Sequence, residues 1–155
     1  MNTIASLLTP QRSLCQIQGG SKKRLFELVA DMLGQEQEKF HPAELVAGML
    51  AREKLGSTAL GGGIAIPHCR LSDCEAPSGV LMTLSSGADF DAPDDEKVDL
   101  LFALVVPSEA TQDHLNILAD LARMFSRTDF CEDLRACKTS EALFTTVLNC
   151  TARVS

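Results

Sequence analysis

Apolar residues recur every three or four positions at Leu25, Leu28, Val29, Met32 and Leu33, which is one face of a helix, and Ser21 stands where a capping hydroxyl would open it. A second stripe, Leu45, Val46, Met49 and Leu50, follows Pro42 at the first helical position. Phe40 is placed to staple onto Leu45, and Gly56 to close this helix. Leu115, Leu118, Leu121, Ala122 and Phe125 share the face of a third helix, and Leu143, Phe144, Val147 and Leu148 stripe a last one. Asp129 with Glu132 resembles a capping arrangement for a short helix between them.

Strand-like runs alternate with these helices. Ser13 to Gln18 ends at Gly19-Gly20, and Ile64 to His68 follows the glycine turn Gly61-Gly62-Gly63 and is stopped by Pro67. Val80 to Leu84 is a third run. Val98 to Val106 is apolar at successive positions, so both its faces need cover and it belongs at the centre of a sheet. Asp89 to Lys97 reads as an acidic loop between the last two runs. With no internal repeat or low-complexity linker, the pattern predicts an α/β single-domain sandwich: a mixed central β-sheet flanked by helices on both faces. It is expected to occupy residues 1–155, with a core from about residue 4 to about residue 150.

Composition narrows the function. The chain is 45% hydrophobic and 23% charged, as expected for one self-sufficient core. Fourteen Lys and Arg against 21 Asp and Glu leave a net charge of −7, the wrong sign for binding nucleic acid or an anionic membrane surface. There is no Trp or Tyr to stack on bases. The longest apolar run, Leu100 to Val106, falls well short of the ~20 residues that span a bilayer, and no basic start precedes an apolar leader. A cytoplasmic protein without direct membrane insertion is expected, with its six cysteines reduced.

Two of the three histidines fall at the ends of core elements. His68 follows Pro67 where a strand runs out, and His114 opens a helix beyond another strand. Strand ends of open α/β sheets form ligand crevices, so the two imidazoles either face a common pocket or are polar residues of ordinary loops. His41 precedes Pro42, where capping accounts for it. His68, Cys69 and Cys74 lack chelating spacing, so no metal is expected. Neighbours on an extended segment point to opposite faces, which also argues against His68 activating Cys69. Asp89 to Glu96 fails the calcium-loop order, because Pro93 and Asp94 occupy a ligand and the glycine position. The glycine run matches neither nucleotide fingerprint, and no cofactor is expected.

Five segments in chain order carry a resemblance. They are Arg52-Glu53-Lys54-Leu55-Gly56-Ser57-Thr58, Gly63-Ile64-Ala65-Ile66-Pro67-His68, Phe90-Asp91-Ala92, the run from Val98 to Pro107, and His114-Leu115. Over nearly the whole chain they resemble the IIA domain of the mannitol/fructose class of the phosphoenolpyruvate-dependent phosphotransferase system, most of all its nitrogen-regulatory branch. The resemblance implies that His68 accepts a phosphoryl group, that Arg52 steadies the phosphate and that His114 is a supporting imidazole. It leaves Ser57 as a phosphate contact or as the start of the turn after the helix. Cys69-Arg70 departs from the family pattern, which has Gly-Lys there.

The implied function is a regulatory phosphocarrier with a phosphohistidine intermediate. It would be fed from phosphoenolpyruvate through enzyme I and an HPr-like carrier (NPr), and would signal to targets such as potassium transporters or sensor kinases. No IIB or membrane IIC sequence is attached, which the resemblance associates with regulation rather than sugar uptake. The alternative within the family is a fructose/mannitol-type IIA that passes phosphate to a separate IIB. Outside it stand a binding module whose histidines never react and a Cys69-dependent hydrolase.

Overall fold

A strand that is apolar on both faces must be covered on both, and the architecture follows from that demand. In the computed structural model, which describes residues 4–36, 40–72, 74–109 and 111–154, one mixed sheet is built from β1 (Ser13–Ile17), β2 (Ala59–Gly61), β3 (Ile64–Ala65), β4 (His68–Leu71), β5 (Ser78–Ala88) and β6 (Val98–Pro107). Five helices cover it: α1 (Lys22–Glu36), α2 (Pro42–Lys54), α3 (Thr111–Phe125), α4 (Thr128–Ala136) and α5 (Ser140–Val154). The sheet order is β1-β5-β6-β3-β2, with β4 also on β6, so the central position expected for Val98 to Val106 is observed.

Alternation along β6 divides its side chains between two cores. Leu100, Phe102 and Leu104 pack with Leu121 of α3, Phe130 of α4 and Leu143 of α5. Leu101, Ala103 and Val105 pack with Phe26 and Val29 of α1 and Met49 of α2. Helices therefore lie on both faces of the sheet, as the sequence pattern predicts.

β3 and β4 lie end to end along β6, both parallel to it: Ile64 pairs with Leu100, and His68 with Leu104. They amount to one strand interrupted at Ile66-Pro67. The expectation that Pro67 stops the strand is corrected here. Pro67 has no N–H to give, but its carbonyl accepts from Leu104 N–H at 2.9 Å and pairing resumes at His68. The N–H of Ile66 turns away from the sheet to the carbonyl of Thr58, at 3.1 Å. His68 thus begins a strand instead of trailing one.

Other expectations shift at the edges. β2, too short to show a period, forms a hairpin with β3 through Gly61, Gly62 and Gly63, whose φ values of 93°, 66° and 82° explain the glycine run. β5 extends beyond Val80 to Leu84, to Ser78–Ala88. Ser21 does cap α1, accepting from Arg24 N–H at 3.1 Å. Asp129 does not cap α4. The N-cap residue is Arg127, and Asp129 forms an ion pair with it at 3.0 Å. Leu115 and Leu148, placed on buried stripes, are 53% and 40% exposed.

Packing against β6 leaves no room at Gly79 of β5. A Cβ there would lie 2.7 Å from Cε1 and 2.8 Å from Cζ of Phe102, a buried ring already set against Phe125. Gly79→Ala is expected to cost about 1–3 kcal/mol. The urea unfolding midpoint should fall with an unchanged slope, and an unaltered midpoint would show that the ring can retreat.

Candidate functional site

Three elements converge at the interruption in the β3–β4 strand. His68 is the first residue of β4, and Cys69 after it turns into the α1/α2 core, so the imidazole faces the other side. There it meets His114 in the first turn of α3, with ring centroids 5.2 Å apart and planes inclined by 59°. Arg52 arrives from the last turn of α2. The structure thus brings His68, His114 and Arg52 together.

The hydrogen bonds assign the atoms of His68. Its Nδ1 lies 2.9 Å from the carbonyl oxygen of Ile66. A carbonyl only accepts, so Nδ1 carries the proton and Nε2 is left with a lone pair. That lone pair accepts a long hydrogen bond from Arg52 Nε, at 3.3 Å. Arg52 is steadied by a second bond, from Nη1 to the Gly56 carbonyl at 2.9 Å. A neutral, oriented imidazole with its nucleophilic nitrogen against a guanidinium is suited to receive an electrophile that brings negative charge with it.

His114 is buried at 5% exposure, and its Nδ1 has no hydrogen-bond partner among the described groups. A buried ring nitrogen left unsatisfied beside a nucleophile is a ready contact for an incoming polar group. Burial pushes the pKa of both histidines below the ordinary 6.5. At His68 the Ile66 hydrogen bond opposes this, while Arg52 and Arg70 reinforce it. At His114 the neighbouring His68, Arg70 and Arg52 add to burial. Both rings are therefore held in the neutral form.

The remaining residues singled out in the sequence lie differently. Ser57 donates its hydroxyl to the Phe90 carbonyl in the segment after β5 and accepts from Ala59 N–H at 3.1 Å, so the hydroxyl ties its own turn to that segment. No described hydrogen bond links it to His68, Arg52 or His114. Cys69 is buried, and burial drives its thiol up to about 12, which leaves no thiolate for nucleophilic chemistry. His41 holds the N-cap position of α2, but its side chain makes no capping hydrogen bond, which corrects the role expected of it. All six cysteines are free. Among the described residues no cluster of three His, Cys, Asp or Glu could hold a metal, and no helix is long and apolar enough to cross a membrane.

Two charged groups at the site, both within the quoted motifs, had been given no role from the sequence. Arg70 is exposed on β4, two residues from His68 and on the same strand face. Glu53 is buried next to Arg52. The signal for Glu53 was available: it continues the buried series Leu45, Met49 at the same four-residue spacing, and a carboxylate on a buried stripe needs partners.

Fold and site together describe a single-domain α/β protein with an oriented histidine opposite an arginine at a strand end. Residues 6–150 match the family described as phosphoenolpyruvate-dependent sugar phosphotransferase system, EIIA 2, and the chain belongs to that family. A nitrogen regulatory protein of Pseudomonas aeruginosa is 46% identical over 149 residues, covering 96% of this chain and 97% of the relative. The crystal structure of the nitrogen regulatory protein IIA-Ntr from Neisseria meningitidis superposes with a TM-score of 0.87 at 36% identity, over 94% of this chain and 99% of that one. IIA mannitol from Escherichia coli, at 20% identity, shares the fold with a TM-score of 0.75 over 90% of this chain and 98% of that one.

Proposed function

We propose that this IIA protein is a regulatory phosphocarrier of the nitrogen phosphotransferase branch, and that it takes a phosphoryl group onto Nε2 of His68 from the phosphohistidine of an HPr-like carrier such as NPr. The orientation of His68, with Nδ1–H on the Ile66 carbonyl and the Nε2 lone pair facing Arg52, carries this reading. The similarity to nitrogen regulatory proteins over nearly the full chain supports the regulatory role. In the transfer, the carrier's N–P bond breaks and its imidazole leaves with the electron pair, while the lone pair of Nε2 forms the new N–P bond. The proton on Nδ1 stays in place, and the Ile66 carbonyl stabilises the positive charge that spreads over the ring.

Phosphoryl transfer is largely positioning and electrostatic stabilisation of charge on three oxygens. Arg52, released from Nε2, turns its planar donors to those oxygens, and His114 adds a buried imidazole beside them. The product carries up to about two extra negative charges at the pocket, enough to change which target protein binds there, with potassium transporters and sensor kinases as the expected kinds. Incubation with phosphoenolpyruvate, enzyme I and the carrier, followed by intact mass, tests the reading. A gain of one acid-labile phosphoryl group is expected, and no gain would overturn it. Adding a IIB protein separates the sugar-specific alternative, which alone predicts rapid loss of the label.

The acid limb of this reaction has a definite sign. A protonated imidazole has no lone pair, and both folded-state pKa values lie below 6.5. The rate should stay level as pH falls past 6.5 and decline only in more acidic solution. The unfolded chain takes up these protons first, so the stability contributed by the two neutral rings is complete above 6.5 and is lost as pH falls through the folded values. A rate profile that halves at 6.5 itself would show that the pocket does not perturb His68.

A further inference from the structure

Behind Arg52 and His68 stands a carboxylate hydrogen-bonded to neither. The side chain of Glu53 is 4% exposed, and a buried carboxylate is tolerated only when its lone pairs are satisfied. Its Oε1 accepts from both the backbone N–H and the hydroxyl of Thr58, the former at 3.2 Å. Its Oε2 accepts from Lys22 Nζ at 3.1 Å. Lys22 is itself held by Asp91 at 3.4 Å and lies 5.3 Å from the centroid of the Phe90 ring.

Two routes run from this clamp to the reacting groups. The carbonyl of Thr58 accepts from Ile66 N–H at 3.1 Å, and the carbonyl of Ile66 accepts from His68 Nδ1 at 2.9 Å. The N–H and C=O of Thr58, like those of Ile66, belong to successive peptide groups joined at the Cα atom, so this series of bonds couples the positions of the carboxylate, the Ile66 carbonyl and the imidazole. The second route is the turn after α2. Gly56 N–H donates to the Glu53 carbonyl at 3.1 Å, and the Gly56 carbonyl receives Arg52 Nη1 at 2.9 Å. With Thr58 pinned by the Glu53 carboxylate, the short turn between them has little freedom to displace that carbonyl.

We propose that Glu53 is a positioning residue for phosphoryl acceptance: through Thr58 it holds the Ile66 carbonyl that keeps the His68 proton on Nδ1, and through the Gly56 turn it holds Arg52 beside Nε2. This rests on the reading of His68 as the acceptor. The protonated nitrogen of an imidazole is set by the hydrogen bond its other nitrogen makes, so a loosened Ile66 carbonyl lets the proton move to Nε2 and removes the nucleophile. Burial sets the low pKa of His68, and the negative charge of Glu53 is among the influences that partly offset it, which places the carboxylate within electrostatic reach of the ring.

The test uses Glu53→Gln, Thr58→Val and Thr58→Ser in the full chain. Two readouts are taken: phosphoryl acceptance from the phosphorylated carrier, and the ring-nitrogen NMR shifts of unphosphorylated His68. Thr58→Val is nearly isosteric, so the answer does not depend on the folding of Glu53→Gln. Glu53→Gln and Thr58→Val are expected to slow acceptance about 10- to 100-fold, the cost found when a partner that orients a metal-bound histidine is removed, with the KM for the carrier unchanged. Their His68 signals should move toward the Nε2–H form, whereas Thr58→Ser should behave as the natural protein. Wild-type rates and shifts in the first two variants would overturn the proposal, and so would slow transfer with unmoved nitrogen shifts. If the unsubstituted protein takes up no phosphoryl group, the acceptor reading fails, and the nitrogen shifts still report whether Glu53 orients the ring.

Discussion

His68→Ala is expected to fold normally and to take up no detectable phosphoryl group from the carrier, a loss of about 10⁴-fold or more, as when an enzyme loses its nucleophile. The fold should survive, because the change removes a half-buried ring and two hydrogen bonds, one to the Ile66 carbonyl and a long one from Arg52, each worth about 1 kcal/mol. His114 cannot take over. Its ring is buried, and among the described hydrogen bonds none joins it to Arg52 as one joins Nε2 of His68. Intact mass after incubation with the phosphorylated carrier, alongside a thermal melt, gives both answers. Retention of the phosphoryl mass in this variant would move the acceptor to another residue, while a collapsed melting transition would assign the ring a structural role.

Arg52→Ala should lower the acceptance rate by about 10²–10³-fold, the cost of removing one preorganised donor from a developing oxyanion. Unlike His68, Arg52 does not form the new bond, so the reaction should remain measurable. Arg52→Lys should recover only part of the rate. An ammonium restores charge but not the planar fork that reaches Nε2 of His68 and the Gly56 carbonyl together. Burial is the main cause of the low His68 pKa, and the Arg52 charge adds to it, so its removal should also shift the acid limb of the rate profile to higher pH. Single-turnover rates over a pH series with a fixed carrier check both effects. A wild-type rate in Arg52→Ala would take Arg52 out of the mechanism.

The fold was most legible where an element is long and its period clean. α1 and α2 follow from their stripes, and β6 from its unbroken apolar run, because each must bury a face whatever surrounds it. Short elements were not legible in this way. β2 has three residues and β4 four, fewer than a period needs, and their pairing depends on β3 and β6 being present. Leu115 fits the stripe of α3 yet stays half exposed, since the periodicity of a helix does not say how far its neighbours extend.

For the site, strand ends and motif order marked His68, His114 and Arg52, and the structure sets the three together. Glu53 was passed over because Lys22 comes from another part of the chain and Thr58 meets it only once the turn after α2 has formed. From the sequence alone came the two-sided core and the alternation of helix and strand, since these depend on the order of side chains along a single chain, and the family resemblance of its motifs added His68, His114 and Arg52 as the candidates for transfer. Tertiary structure alone decided which nitrogen of His68 faces the Ile66 carbonyl, where Arg52 points and that a buried carboxylate lies next to them, because these contacts exist only once the chain has folded and brought their atoms within about 3 Å.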